Sequence, residues 1–249
     1  MINIKLILEY DGTDFYGWQM QPNKRTVQGE IEKALLELLG EKVGIIGSGR
    51  TDTGVHALNQ VANFLTNSDL QPEKIKNGLN GILSRDIYIK SSEKTYEKFN
   101  SRFDAIARTY KYVISKGRTA LNRRYCWEIF YSLDSESIKK CCELIIGEKD
   151  FKSFAKLDKD RKNSICNVKS AEWIEKPDYY IFKIESNRFL HKMVRSIVGT
   201  FIDVGKKKIT PDDFFKILEG KDRRKAGMTV PAKGLFLECV TYPNSLKNE

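Results

Sequence analysis

The opening residues already narrow the fold. Ile2, Ile4, Leu6, Leu8 and Tyr10 alternate with mostly polar neighbours, the period of a strand that buries one face. The period then changes. Thr26 reads as a helix N-cap, Val27, Ile31, Ala34, Leu35 and Leu38 line one helical face, and Gly40 marks the stop. Apolar runs at 43–46 and 61–65 read as strands. A second helix is predicted from Pro72 to Leu83, with Ile75, Leu79 and Ile82 inward and Pro72 in its first turn. Ile87 to Ile89 forms another strand. Two different periods in alternation, without long linkers, point to a mixed α/β chain.

From Ala105 the pattern repeats loosely. Ile106, Tyr110, Tyr112 and Ile114 suggest a strand. Asp134 caps a helix carrying Ile138, Cys141, Cys142 and Ile145, with Gly147 at its end. Residues 165–174 and 179–185 read as strands paired across Lys176-Pro177-Asp178. A long helix is expected from Arg188 to Val204, a short one opened by Thr210 and Pro211, and a closing strand from Leu235 to Val240. The charged, apolar-poor stretch from Lys156 to Asn163 reads as a mobile loop. The fold class is α+β, with two similar halves at 1–104 and 105–249.

A chain of 249 residues with 41% hydrophobic and 11% aromatic content can bury a real core, in one large domain or two small ones. Lys and Arg number 43 against 33 Asp and Glu, a formal charge of +10. That balance favours a polyanionic partner over a neutral one. The cysteines Cys126, Cys141, Cys142, Cys166 and Cys239 are odd in number and form no C-x-x-C, which argues against both a disulfide framework and a zinc site. Cys141 and Cys142 read as small buried apolar residues. The histidines are His56 and His191, and no dense carboxylate cluster is visible, so the expectation is chemistry without metal, nucleotide or other cofactor. No apolar run approaches the ~20 residues of a membrane span. The chain starts on a strand pattern, not a signal peptide, and a reducing cytoplasm is the expected compartment.

The stretch most suited to chemistry runs Gly47-Ser48-Gly49-Arg50-Thr51-Asp52-Thr53-Gly54-Val55-His56-Ala57. Glycines allow such a loop to hold a carboxylate, Asp52, at a fixed and exposed angle with Arg50 close by. On local sequence alone, Asp52 reads first as a turn former bonding its own backbone. Arg195 is a second candidate. It sits in Met193-Val194-Arg195-Ser196-Ile197-Val198-Gly199-Thr200-Phe201-Ile202, a segment apolar on most faces. An Arg inside a buried helix needs a carboxylate partner or a route to solvent.

Residues 49–57 resemble the signature of the bacterial tRNA pseudouridine synthase family known as TruA. Further blocks resemble the family's motifs in the same order. They are Tyr10-Asp11-Gly12-Thr13-Asp14-Phe15-Tyr16-Gly17-Trp18-Gln19, then Phe99-Asn100-Ser101-Arg102-Phe103 followed by Ala107-Arg108-Thr109-Tyr110-Lys111-Tyr112. Asn187-Arg188-Phe189-Leu190-His191-Lys192-Met193-Val194-Arg195 and Pro231-Ala232-Lys233-Gly234-Leu235-Phe236-Leu237 complete the set. Thr53 replaces the family's usual Ala. Arg188 stands where a small residue is more common, and Lys149 replaces a His before Asp150-Phe151.

The resemblance implies two subdomains with mainly antiparallel sheets flanking a basic cleft. It implies isomerisation of uridine to pseudouridine at positions 38, 39 and 40 of the tRNA anticodon stem-loop, by a homodimer with one tRNA spanning both subunits. Asp52 is then the essential anion, either attacking C1′, adding to C6 or removing a sugar proton, and Arg195 is its ion-pair partner. Tyr110 stacks on the flipped uracil and can help move the C5 proton. Arg50 enters the space the base vacates or clamps its phosphate. Arg102, Arg108 and Arg118 are expected at phosphates, with Arg123, Arg124, Arg188 and Lys192 beside them. His56 and His191 are expected as structural hydrogen-bonders. Lys206-Lys207-Lys208 and Arg223-Arg224-Lys225 read as outlying RNA contacts or solubility charges. Two rival readings remain: a non-catalytic RNA-binding or RNA-folding protein, and a hydrolase pairing Asp52 with Asp11 or Asp14.

Overall fold

The computed structural model describes residues 1–156 and 163–243. The chain divides into two compact units, Met1–Ile106 together with residues from Phe236 onward, and Ala107–Leu235. Most of the segment read as a mobile loop, residues 157–162, lies outside the described residues.

In the first unit the chain runs β1 (Ile2–Tyr10), α1 (Val27–Leu39), β2 (Ile46–Gly47), β3 (His56–Thr66), α2 (Pro72–Ile82) and β4 (Ile87–Thr95). β1 is central and antiparallel to both β3 and β4. Its alternation does what the sequence implies: Ile4, Leu6 and Leu8 are fully buried, while Lys5 and Ile7 are half-buried. α1 is capped by the Thr26 side chain, which accepts from the Gly29 N–H, and stops at Gly40 in the left-handed conformation (φ 68). α2 has no side-chain cap but carries Pro72 in its first turn. Gly78 lets it approach α1, since a Cβ there would stand 2.5 Å from Leu38 Cδ1. The apolar run at 43–46 forms a strand only at Ile46–Gly47, opposite Asn63 and Ala62.

The second unit contains β5 (Ala107–Ser115), β6 (Trp127–Glu128), α3 (Ser135–Leu144), β7 (Gly147–Asp150), β8 (Ile165–Glu175), β9 (Tyr179–Ser186), α4 (Met193–Gly205) and α5 (Pro211–Glu219). β5, β9, β8 and β7 are consecutive antiparallel neighbours. α4 buries every residue except Arg195 and Asp203. Its Phe201 meets Trp173, Phe182 and Phe214 at ring-centroid distances of 6.5, 5.1 and 5.2 Å. α5 opens with a reciprocal capping box between Thr210 and Asp213. The final strand, β10 (Leu235–Thr241), runs parallel to β3, with Phe236 opposite His56 and Leu237 opposite Ala57.

Two boundaries differ from the sequence reading. α4 begins at Met193 and not near Arg188, because Lys192 adopts φ 63 and closes off any helix before it. Gly147 does not end α3; Ile145 is the cap, and Gly147, at φ 92, starts β7. The five cysteines are free thiols, and all but Cys239 are buried. Burial pushes the Cys141 thiol up to about 12 and the Cys166 thiol up to about 11, consistent with inert packing residues.

Candidate active site

Two stretches far apart in sequence, 10–18 and 48–55, fold as one object. The Trp18 N–H donates to the Thr51 carbonyl at 3.1 Å, and the Gly54 N–H donates to the Phe15 carbonyl at 3.3 Å. The approach is closer than any side chain permits. A Cβ on Gly12 would stand 2.0 Å from the Val55 oxygen, and one on Gly17, whose φ is +86, would stand 2.6 Å from the Thr51 oxygen. These positions therefore require glycine. Gly47 plays the same part against the Trp18 ring, 2.5 Å from where its Cβ would lie.

Beneath the loop runs a buried polar chain. The Tyr10 and Thr51 hydroxyls are 2.8 Å apart. Ser48 Oγ donates to Gln60 Oε1 at 2.6 Å, and Gln60 Nε2 donates to the Gly49 carbonyl at 3.0 Å. Burial pushes the Tyr10 phenol well above its ordinary value, only partly offset by the hydrogen bonds with Thr51 and Gln60. It therefore stays protonated and available as a donor. The Val55 N–H donates to the Asp52 carbonyl at 3.1 Å and closes the turn. Thr51 and Val55 are buried, whereas Asp52 is half-buried and Arg50 exposed. A carboxylate is thus presented on a loop braced from both sides, the condition for a precisely placed reactive group.

Other flagged residues of this unit have definite places. Asp11 Oδ1 accepts from the Thr13 N–H at 3.0 Å and hydroxyl at 2.6 Å, so one of the two carboxylates, Asp11 and Asp14, that a hydrolase reading would pair with Asp52 is engaged in closing a turn. His56 is buried, with Nδ1 accepting from the Gly12 N–H at 3.0 Å and its ring stacked on Phe236 at 4.7 Å. Arg102 is exposed on a loop anchored by two buried asparagines. Asn3 Nδ2 donates to the Phe99 carbonyl at 2.9 Å, Asn63 Nδ2 donates to the same carbonyl at 3.1 Å, and Asn63 Oδ1 accepts from the Ser101 N–H at 2.8 Å. A cavity of about 440 Å³ on this unit is lined by Lys5, Tyr96, Phe99 and Tyr242, among others, but by none of the flagged residues. Its Lys5 is already paired with Glu93 at 2.7 Å.

In the second unit, Tyr110 is buried on β5 and meets Phe189 edge to face, at 4.9 Å and 79°. Arg195 is half-buried, one of the two residues of α4 that are not buried. Its Nε donates to the Val230 carbonyl at 2.7 Å, and the Val230 N–H donates to the Arg195 carbonyl at 3.3 Å. Arg108 is half-buried and donates to the Asn187 carbonyl at 3.0 Å, while Arg118 is exposed. Arg223 corrects the sequence reading. It is half-buried, and its guanidinium serves the Ala226 and Gly227 carbonyls at 3.2 and 3.0 Å and Thr229 Oγ1 at 2.9 Å. Residue type alone shows a charge in a basic run. Only the fold shows where its donors land, on the segment that follows it.

Comparison with known proteins shows the family. The family model described as tRNA pseudouridine synthase matches residues 6–104 and 141–243. A tRNA pseudouridine synthase A of Caldicellulosiruptor bescii is 47% identical over 97% of this chain and 100% of its own. That of Clostridium acetobutylicum is 44% identical with the same coverage. A solved archaeal box H/ACA Nop10–Cbf5 complex overlaps at a TM-score of 0.37 and 11% identity, over 89% of this chain and 59% of that one, too distant to weigh in the argument. The chain belongs to the tRNA pseudouridine synthase family. It is accordingly an isomerase, converting uridine to pseudouridine.

Proposed function

We propose that the chain isomerises uridines at positions 38, 39 and 40 in the anticodon stem-loop of tRNAs, with Asp52 as nucleophile or base. The supporting observation is the doubly braced loop that leaves Asp52 as an accessible carboxylate beside the buried Thr51. The C1′–N1 bond breaks, the uracil turns, a C1′–C5 bond forms, the C5 hydrogen leaves as a proton and N1 takes one up. Atoms and electrons balance without an external donor. In this reading Arg195 pairs with and orients Asp52, and Tyr110 stacks on the flipped uracil. Arg50 fills the place the base leaves, at a flipping cost of a few kcal/mol, on the order of that for other base-flipping enzymes. Arg102, Arg108 and Arg118 hold phosphates through salt-sensitive contacts. The protein works in the cytoplasm as a homodimer.

The test is an unmodified tRNA transcript incubated with wild type and with Asp52→Asn, followed by site mapping. Pseudouridine at 38–40 with wild type, and at least a roughly thousandfold slower reaction with the variant, is expected for loss of an essential reacting group. Wild-type speed in Asp52→Asn would remove Asp52 from the chemistry. Tight RNA binding with no pseudouridine from the wild type would return the non-catalytic reading.

A further inference from the structure

Arg195 Nε is held by a backbone carbonyl, Val230 O, at 2.7 Å. A guanidinium is planar with five donors in a rigid fork, so a bond at Nε fixes the plane and with it the direction of the paired end-on N–H groups of the two terminal nitrogens. Whether that aim is precise depends on how firmly Val230 is placed. The segment 226–231 has no regular secondary structure, yet it is tied down on both sides of Val230. Upstream, Arg223 makes its three bonds to Ala226, Gly227 and Thr229. The Gly227 N–H donates to Thr200 Oγ1 at 2.9 Å, and the Thr229 and Ser196 hydroxyls are 3.3 Å apart. Gly199 admits the segment against α4, because a Cβ there would stand 1.8 Å from the Met228 oxygen. Downstream, the buried Tyr112 hydroxyl donates to the Pro231 carbonyl at 2.8 Å. Burial keeps that phenol protonated, although the nearby Arg195 charge opposes it.

We infer that Arg223 and Tyr112 are positioning residues for Arg195, clamping 226–231 so that Val230 orients the guanidinium for bidentate contact with an anion. This rests on the role proposed above for Arg195. Neither residue needs to touch RNA: Arg223 spends its donors on backbone and a hydroxyl, and Tyr112 lies in the core. The inference gives a basic residue outside the sequence motifs a task in the reaction, and it explains why a glycine stands at 234, three residues after Pro231. A Cβ on Gly234 would stand 2.7 Å from the Val113 oxygen and 2.8 Å from Tyr112 Cζ, so the returning chain seats directly on Tyr112.

The experiment measures kcat and KM on a tRNA transcript for Arg223→Ala and Tyr112→Phe, each in the wild type and in Arg195→Lys. A lysine has no Nε donor to Val230, so it uncouples the clamp from the charge. In the wild type each substitution is expected to lower kcat about tenfold, the scale of a sub-ångström misplacement, with KM changed less than about twofold. In Arg195→Lys the same substitutions are expected to lower kcat by less than about twofold, a non-additivity that general destabilisation does not produce. Equal losses in both backgrounds, or no loss in the wild type, would overturn the inference. Arg195→Ala separates the two levels. If it leaves turnover intact, the role of Arg195 falls and this inference with it; if it abolishes turnover while the clamp variants remain additive, only the clamp is wrong. Should Arg223→Ala fail to fold, Tyr112→Phe, which removes a single oxygen, carries the comparison.

Discussion

Replacing Gly17 with alanine tests whether the first motif exists to place the Asp52 loop. The added carbon would stand 2.6 Å from the Thr51 oxygen, 3.1 Å from the Asp52 carbonyl carbon and 3.2 Å from the Thr53 nitrogen. Ordinary C–H to oxygen contacts begin near 3.3 Å, so the loop must recede by about 0.7 Å. The Trp18 to Thr51 hydrogen bond, already 3.1 Å, would then pass beyond bonding range. A non-glycine residue at φ +86 adds about 1–2 kcal/mol, and the broken buried bond adds about 1–3 kcal/mol. A total of roughly 3 kcal/mol corresponds to a fall in melting temperature of about 6–12 °C for a chain of this size. Because the displaced atoms flank Asp52, kcat should fall further, by about 10- to 100-fold. Release of tritium from tRNA labelled at uridine C5 reads the rate, and a thermal melt reads stability. Gly44→Ala, where nothing lies within 4 Å of the new carbon, is the matched control and should change neither. A Gly17→Ala protein with wild-type melting temperature and kcat would refute the argument.

Asn63→Leu removes the amide that bonds Phe99, Ser101 and Asn3; leaving those buried groups unpaired should cost about 2–4 kcal/mol, seen as a lower urea midpoint, and an unchanged midpoint would show that the 96–104 loop is held by other means. Asp86 supplies a dependence on pH. Burial pushes its carboxyl up, but the bidentate bonds from Arg25, at 2.7 and 2.9 Å, and the bond from Ser84 outweigh it, so the net shift is downward. Its contribution is therefore complete above the ordinary aspartate value of about 3.9 and is lost as pH falls below it through the lower folded value. Urea midpoints between pH 5 and pH 2 should fall less steeply in Asp86→Asn than in wild type, and parallel curves would count against a stabilising Arg25–Asp86 pair.

Where a period or a cap was decisive, sequence and structure agree. β1, α1 and the Thr210 start of α5 follow from side-chain spacing and from residues whose oxygens reach a helix's first N–H groups. The expected start of α4 near Arg188 fails because helical propensity is weak and tertiary contacts override it. Residues 187–191 instead make backbone bonds elsewhere, such as Asn187 N–H to Asn167 O at 3.1 Å. Gly147 fails similarly: the same left-handed freedom serves a helix end or the start of a strand, and only the ladder with β8 decides which.

By itself the sequence determined the alternation of elements, the basic character, the family motifs and Asp52 as the carboxylate to watch, because these depend on residue type and local spacing. Only the tertiary structure decided that residues 10–18 and 48–55 are one braced object, and that Arg223 is a clamp on the backbone beside Arg195. The physical reason is the short reach of a hydrogen bond and of a steric contact. Both depend on which atoms lie within about 3 Å of each other, and no linear spacing states that for residues dozens of positions apart.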